Sequence, residues 1–323
     1  MNMNKLVENN EPKNQLKLYG YKDYFYAFKN LYEKNKLPNV ILLSGQKGLG
    51  KSTFTYHFIN YLLSQNDENK YSLEDFTIDS DNVTFKLIQQ QIHPNFTILD
   101  NASSKENIKI DQVRNLLKLL SKSTYSKDIK IVLIDNAEYL NLNSSNALLK
   151  SLEEPSKNTF FFIINNTSSK ISDTIKSRCV EYKFHFTISE KKKIFNEIIQ
   201  NHQLNYKGQN TDKFLYFDTP GNLYKYLLLL NDSNLDISKD HLNCIFYLMD
   251  IYKNKNDFEL LNFISILIEN YYSELSLYDT SNINIHFNNK YKISYLINDM
   301  KNFNLDKKNL LVSLTRILKD EKE

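Results

Sequence analysis

The chain has few of the residues that staple small folds or break up helices. Its 323 residues contain two cysteines, six glycines, five prolines and no tryptophan. Cys179 and Cys244 alone cannot build a disulfide framework or a four-thiolate zinc site, so a reducing cytoplasm is the expected setting. No apolar run approaches the roughly 18 residues of a membrane span, and no membrane partner is expected. The opening "MNMNKLVENNEPKNQ" is polar and has no apolar signal core. A net charge of +3 is too small to mark a nucleic-acid binder by itself. Hydrophobic and charged contents of 41% and 24% are ordinary, and the length suits two or three domains.

Short apolar runs without alternation occur at Asn39–Ser44, Phe96–Leu99, Lys130–Asp135 and Thr159–Ile164, with a weaker fifth at Val180–Phe184. Continuous apolar strands fit a parallel sheet covered on both faces. Helical spacing lies between them, in Phe54, Phe58, Tyr61 and Leu62, and in Ile110, Val113, Leu116, Leu117 and Leu120 behind Asp111 as N-cap. Another helix opens near Ser144 and stops before Pro155. The texture changes at "TISE", where Thr187 and Glu190 form a capping box for a helix to about Asn201. Beyond Gly221 there is neither glycine nor proline, and Leu242, Ile245, Phe246 and Met249, then Leu260, Phe263, Ile264 and Leu267, keep helical spacing. The expected organisation is an α/β domain over 1–186, a small helical lid over 187–235 and an all-helical part over 236–323.

Three of the six glycines fall in "GQKGLGKS", residues 45–52. Gly45, Gly48, Gly50, Lys51 and Ser52 match G-x-x-x-x-G-K-[ST], between a predicted buried strand and a predicted amphipathic helix. Glycines let the backbone wrap a phosphate chain, and the helix N-terminus adds partial positive charge. Lys51 is expected to reach the β- and γ-phosphates and the Ser52 hydroxyl to ligate Mg²⁺, with Thr53 completing the nucleotide-binding residues. Asp135, ending "IVLID", is the expected second Mg²⁺-side residue, which makes ATP with Mg²⁺ the expected cofactor pair. The next residue, where many such ATPases place a water-polarising glutamate, is Asn136, and an amide cannot accept a proton. Glu138 is a candidate substitute if the backbone turns it the same way.

With "ALLKSLEEP" (147–155), "FFIINNTSSKISDTIKSRC" (161–179) and "IKIDQVRNLL" (108–117) added, residues 40–185 resemble the bacterial clamp-loader branch of the AAA+ ATPases, in particular its delta-prime type. The resemblance implies a P-loop AAA+ domain followed by a helical lid and a helical collar. It implies partners: other clamp-loader subunits (gamma/tau and delta), a sliding clamp, and primed DNA through the complex. It places the sensor-1 residue on Asn166, and on Arg178, in Ser177-Arg178-Cys179, an arginine finger that serves the neighbouring subunit. Two departures accompany it. Gly221 and Asn222 stand where active motors carry a second-sensor arginine, and residues 53–134 lack the cysteines of the zinc module found in many relatives, so no zinc is expected. The reading is an ATP-binding subunit whose own turnover is weak. The alternatives are a hydrolysing gamma/tau-like motor and a nucleotide-free stator. Cys179 is expected to be a small buried hydrophobe, His93 to be structural, the Lys191–Lys193 run to be a solvated face, and the aromatics from Tyr271 onward to be core.

Overall fold

Every residue of β1 (Val40–Gly45) is buried, because both faces of this strand are covered. Val40 and Leu42 join a cluster with Val132, Ile134, Phe161 and Ile163, under Val113, Leu116, Leu148 and Leu152. Ile41, Leu43 and Phe162 turn to the other face and are equally buried, with the Phe58 and Phe162 rings 6.0 Å apart. Two-sided burial is the reason the sequence shows continuous rather than alternating apolar runs.

The structure is a computed structural model that describes residues 10–100, 107–121, 129–167, 171–204, 206, 211–237, 239–254, 257–303 and 306–319. The polar start of the chain, up to residue 9, lies outside the described residues, as do Ser168–Lys170 of the 161–179 motif. Contacts divide the chain into two compact units that meet in sequence at Glu197 and Ile198. The first runs through α1 (Lys22–Glu33), β1, α2 (Lys51–Leu63), α3 (Val83–Gln89), β2 (Phe96–Leu99), α4 (Ile110–Ser121), β3 (Lys130–Ile134), α5 (Leu142–Glu153), β4 (Thr159–Asn166), α6 (Asp173–Lys176) and β5 (Val180–Lys183). Helix α7 (Ile188–Asn201) carries the chain into the second unit. The five strands pair in parallel in the order β2-β3-β4-β1-β5. In a sheet of this kind, ligands bind beyond the carboxyl ends of the strands.

Local signals largely act as the sequence indicates. The capping box is formed: the Thr187 N–H donates to Glu190 at 2.7 Å, and the Glu190 N–H donates back to Oγ1 of Thr187 at 3.3 Å. Asn141 caps α5 by accepting from the Ser144 N–H at 2.8 Å. Asp111 corrects the sequence reading: α4 already starts at Ile110, so Asp111 is not the N-cap but sits in the first turn, where its charge still suits the helix dipole. Lys191 departs as well. Lys192 and Lys193 are exposed, but Lys191 shares the inner face of α7 with Ile194 and Phe195 and is buried. His93 accepts from the Asn95 N–H at 3.1 Å, a local turn contact that fits a structural role.

The second unit continues with α8 (Thr211–Phe217), α9 (Pro220–Asp232), α10 (His241–Asn254), α11 (Phe258–Tyr278), α12 (Ile283–Phe303) and α13 (Lys307–Lys319). Ile245, Met249, Leu260, Phe263, Ile264 and Leu267 are buried as their spacing requires. Tyr226 stacks on Phe263 at 4.5 Å between ring centres. The late aromatics overturn the expectation of a core role. Tyr272 is buried, but Phe287, Tyr291 and Tyr295 are 65%, 73% and 58% exposed. Their spacing of four aligns them on one face of α12, whereas the helix buries its other face through His286, Ile293, Ile297 and Met300. Among the described residues, no helix is long and apolar enough to cross a membrane.

Candidate functional site

The loop after β1 begins beside β4, with Gly45 paired to Asn166. A Cβ on Gly45 would lie 2.8 Å from the Phe184 carbonyl oxygen, so only glycine fits against that backbone. Gly50 has φ +90° and forms the N-cap of α2, a left-handed turn that glycine adopts without strain. No side chain caps the helix, which leaves the first-turn N–H groups of Lys51, Ser52 and Thr53 facing outward. Gly48, at φ +81°, makes the preceding left-handed turn.

Helix α2 is buried on almost every side by aromatic packing, and this holds the loop in place. The Tyr21 hydroxyl donates to the Leu49 carbonyl at 2.9 Å, and its ring packs on Phe54, Phe184 and Phe186 at 5.0–5.1 Å. Tyr21 is not legible in the sequence: one tyrosine among 22 carries no local signal of a contact 28 positions away. Replacing Tyr21 with Phe leaves the Leu49 carbonyl unpaired and is expected to cost about 1–3 kcal/mol of stability, measured by denaturant unfolding. An unchanged midpoint would show that the hydroxyl does not anchor the loop.

The Lys51 ammonium donates to the carbonyls of Gly45 at 2.9 Å and Gln46 at 2.8 Å, and to Oδ1 of Asn166 at 2.9 Å. Burial lowers its pKa to about 8, an effect the nearby Asp135 and Glu138 charges partly offset. The Ser52 hydroxyl donates to Oδ1 of Asp135 at 3.1 Å, as does the Asn136 N–H at 2.9 Å. Burial raises the Asp135 carboxyl to about 6, helped by the neighbouring Asp100 charge and opposed by the Ser52 hydrogen bond. Two oxygens 3.1 Å apart fit adjacent places around Mg²⁺, whose octahedral shell at about 2.1 Å sets neighbouring ligands about 3 Å apart.

The structure thus brings Gly45, Lys51, Ser52, Asp135 and Asn166 to one sheet edge, with Thr53 in the adjoining first turn. Glu138 joins them: its Oε1 accepts from Nδ2 of Asn166 at 2.5 Å. Arg178 lies elsewhere. It precedes β5, whose Val180 pairs with Ile41, while the phosphate loop starts at Gly45, about 13 Å further along β1. Its guanidinium donates to Glu153 at 2.7 Å and to the Thr174 carbonyl at 2.7 Å. Cys179 packs half-buried against the core with its thiol pushed up to about 12 by burial, which fits a small hydrophobe. Asn222, at the place of the second sensor, donates to Asp218 at 2.9 Å near the start of α9.

Comparison with known proteins fits this geometry. The family described as "DNA polymerase III, delta subunit" matches residues 20–187, just over half of the chain. The chain is 34% identical over 140 residues to the DNA polymerase III subunit delta' of Pseudomonas aeruginosa, covering 43% of this chain and 41% of that protein. It thus aligns with less than half the length of that relative. It is 26% identical over 322 residues to the DNA polymerase III subunit gamma of Buchnera aphidicola subsp. Schizaphis graminum, covering 98% of this chain and 80% of that one. A solved DNA polymerase III, gamma subunit-related protein from Thermotoga maritima aligns with 93% of this chain and 99% of its own, at 18% identity and a TM-score of 0.47. With the match to residues 20–187 spanning the whole parallel sheet and its phosphate loop, the chain belongs to the DNA polymerase III, delta subunit family, among relatives named as delta-prime subunits.

Proposed function

We propose that this chain is a cytoplasmic clamp-loader subunit of the delta-prime type. It binds Mg·ATP through Lys51, Ser52 and Asp135 and lends Arg178 to a neighbouring subunit. The observation that carries this reading is the polarity of the sheet. The phosphate loop lies at the carboxyl edge, whereas Arg178 precedes β5 at the opposite edge, partly exposed and too far away to serve its own loop. A guanidinium so placed suits a phosphate on another molecule. Bound Mg²⁺ would supply charge neutralisation on the phosphate oxygens, and Asn166 stands beside the same edge as the sensor-1 residue.

The exposed stripe of Phe287, Tyr291 and Tyr295 supports packing of the helical part against other subunits, since exposed apolar patches mark interaction surfaces. Loading of a sliding clamp onto primed DNA, in company with gamma/tau- and delta-type subunits, is the activity we assign to the assembly.

Thermal unfolding with and without Mg·ATP tests the nucleotide reading. ATP at 100 times its dissociation constant is expected to stabilise the parent chain by about 2.7 kcal/mol. The same nucleotide is expected to leave Lys51→Ala unchanged. No shift of the parent at millimolar ATP would favour a nucleotide-free stator.

A further inference from the structure

We propose that Glu138 takes the place of the acid that Asn136 cannot supply, orienting the attacking water so that this chain hydrolyses its own ATP slowly. The inference rests on the nucleotide-binding reading above.

The backbone explains how an acid three residues beyond Asp135 reaches the site. Asn136 is left-handed, with φ 56° and ψ 54°, a conformation that asparagine tolerates better than most residues. Its side chain turns away and donates to Asp100 at 3.1 Å. The left-handed residue starts a single 3-10 turn, Ala137–Tyr139, closed by the Tyr139 N–H on the Asn136 carbonyl at 3.0 Å. Ala137 drops into the core, and Glu138 is carried round to Asn166. A glutamate at position 136 would have to adopt the same left-handed backbone, which disfavours it there, while the turn that follows carries one in at 138.

Glu138 is then tied to Lys51 by two hydrogen bonds in series. Its Oε1 accepts from Nδ2 of Asn166, and Oδ1 of the same amide accepts from Lys51, the cation expected at the β- and γ-phosphates. The other oxygen, Oε2, is buried and has no hydrogen-bond partner among the described residues. A buried carboxylate oxygen without a partner is unfavourable, and a water drawn in as the site takes nucleotide would satisfy it. In the step we assign, the oxygen of that water bonds to the γ-phosphorus. The bond from the γ-phosphorus to the β–γ bridging oxygen breaks, and its electron pair leaves on ADP. The proton of the water passes to Oε2 and from there to solvent.

Glu138→Gln separates this role from mere support of Asn166, because glutamine still accepts the Asn166 hydrogen bond but cannot accept a proton. The variant is expected to melt at the parent temperature and to gain the same stabilisation from Mg·ATP. Its single-turnover hydrolysis is expected to fall by about 10²–10⁴-fold. Nucleotide recovered after long incubation should be ADP from the parent and ATP from the variant. Aluminium fluoride added to Mg·ADP should stabilise the parent further and the variant not at all. Equal hydrolysis, or an equal response to aluminium fluoride, overturns the assignment. If both chains are stabilised by Mg·ATP but return it intact, the inference fails alone. If Mg·ATP stabilises neither, the nucleotide-binding reading fails and takes the inference with it.

Discussion

Arg178→Ala is expected to leave the isolated chain's folding and ATP binding unchanged while slowing hydrolysis at the neighbouring site of an assembled ring by about 10³–10⁵-fold, the range measured for arginine fingers supplied in trans. Stability should hardly respond. Arg178 is paired at the surface with Glu153, itself half exposed, and an ion pair of that kind contributes about 0–1 kcal/mol. The contacts with Glu153 and the Thr174 carbonyl lie within one chain, so a finger role would require the guanidinium to exchange them for phosphate oxygens of a docked neighbour. The measurement is single-turnover hydrolysis in a ring reconstituted with the motor subunit that follows residue 178. Lysine at 178 should restore little, because a point charge lacks the planar fork that meets two phosphate oxygens together. Unchanged turnover at that site would refute the finger.

The second large effect is a trade between stability and function at Asp135. Burial and Asp100 raise its carboxyl from 3.8 to about 6, so between those values the folded chain holds a proton that the unfolded chain has lost. Stability contributed by this group therefore falls as pH rises through the window, and above about pH 6 the ionised form carries the full penalty. A shift of about two units corresponds to about 3 kcal/mol. Asp135→Asn keeps an oxygen to accept from the Ser52 hydroxyl and the Asn136 N–H and removes the charge. The nucleotide-free variant is expected to match the parent near pH 4 and to exceed it by about 3 kcal/mol at pH 7. Buried His57, depressed from 6.5 to about 3 by desolvation, acts in the opposite sense over much of the same range. It is present in both proteins, so it cancels when their unfolding free energies are subtracted. The same variant should lose the Mg²⁺-dependent part of ATP stabilisation. Equal stabilities across pH 4–7 would show that Asp135 is not destabilised in the empty site.

The sheet and the phosphate loop were legible in the sequence because each is encoded locally. Continuous apolar runs mark strands covered on both faces, and the G-x-x-x-x-G-K-S spacing between strand and helix needs only neighbouring residues to specify its shape. Asp135 was readable for the same reason, since it follows a buried apolar strand, whereas Asn166 was named only through the family resemblance. Arg178 could be named from its motif, but its distance from its own loop follows only from the pairing of Val180 with Ile41.

The misjudged residues are those decided by contacts between distant segments. Spacing alone does not say which side of α12 meets another helix, so Phe287, Tyr291 and Tyr295 could not be told from core. Lys191 belongs to a charged run by composition and to a buried face by helix phase. Tyr21 acts through a carbonyl far along the chain. By itself, then, the sequence determined the strands, the helices and the residue types of the glycine loop, because backbone preference and burial pattern act over a few residues. Only the tertiary structure decided that Glu138 bonds to Asn166 and that Arg178 lies at the sheet end opposite the loop. Both depend on where a turn and a strand register place side chains in space.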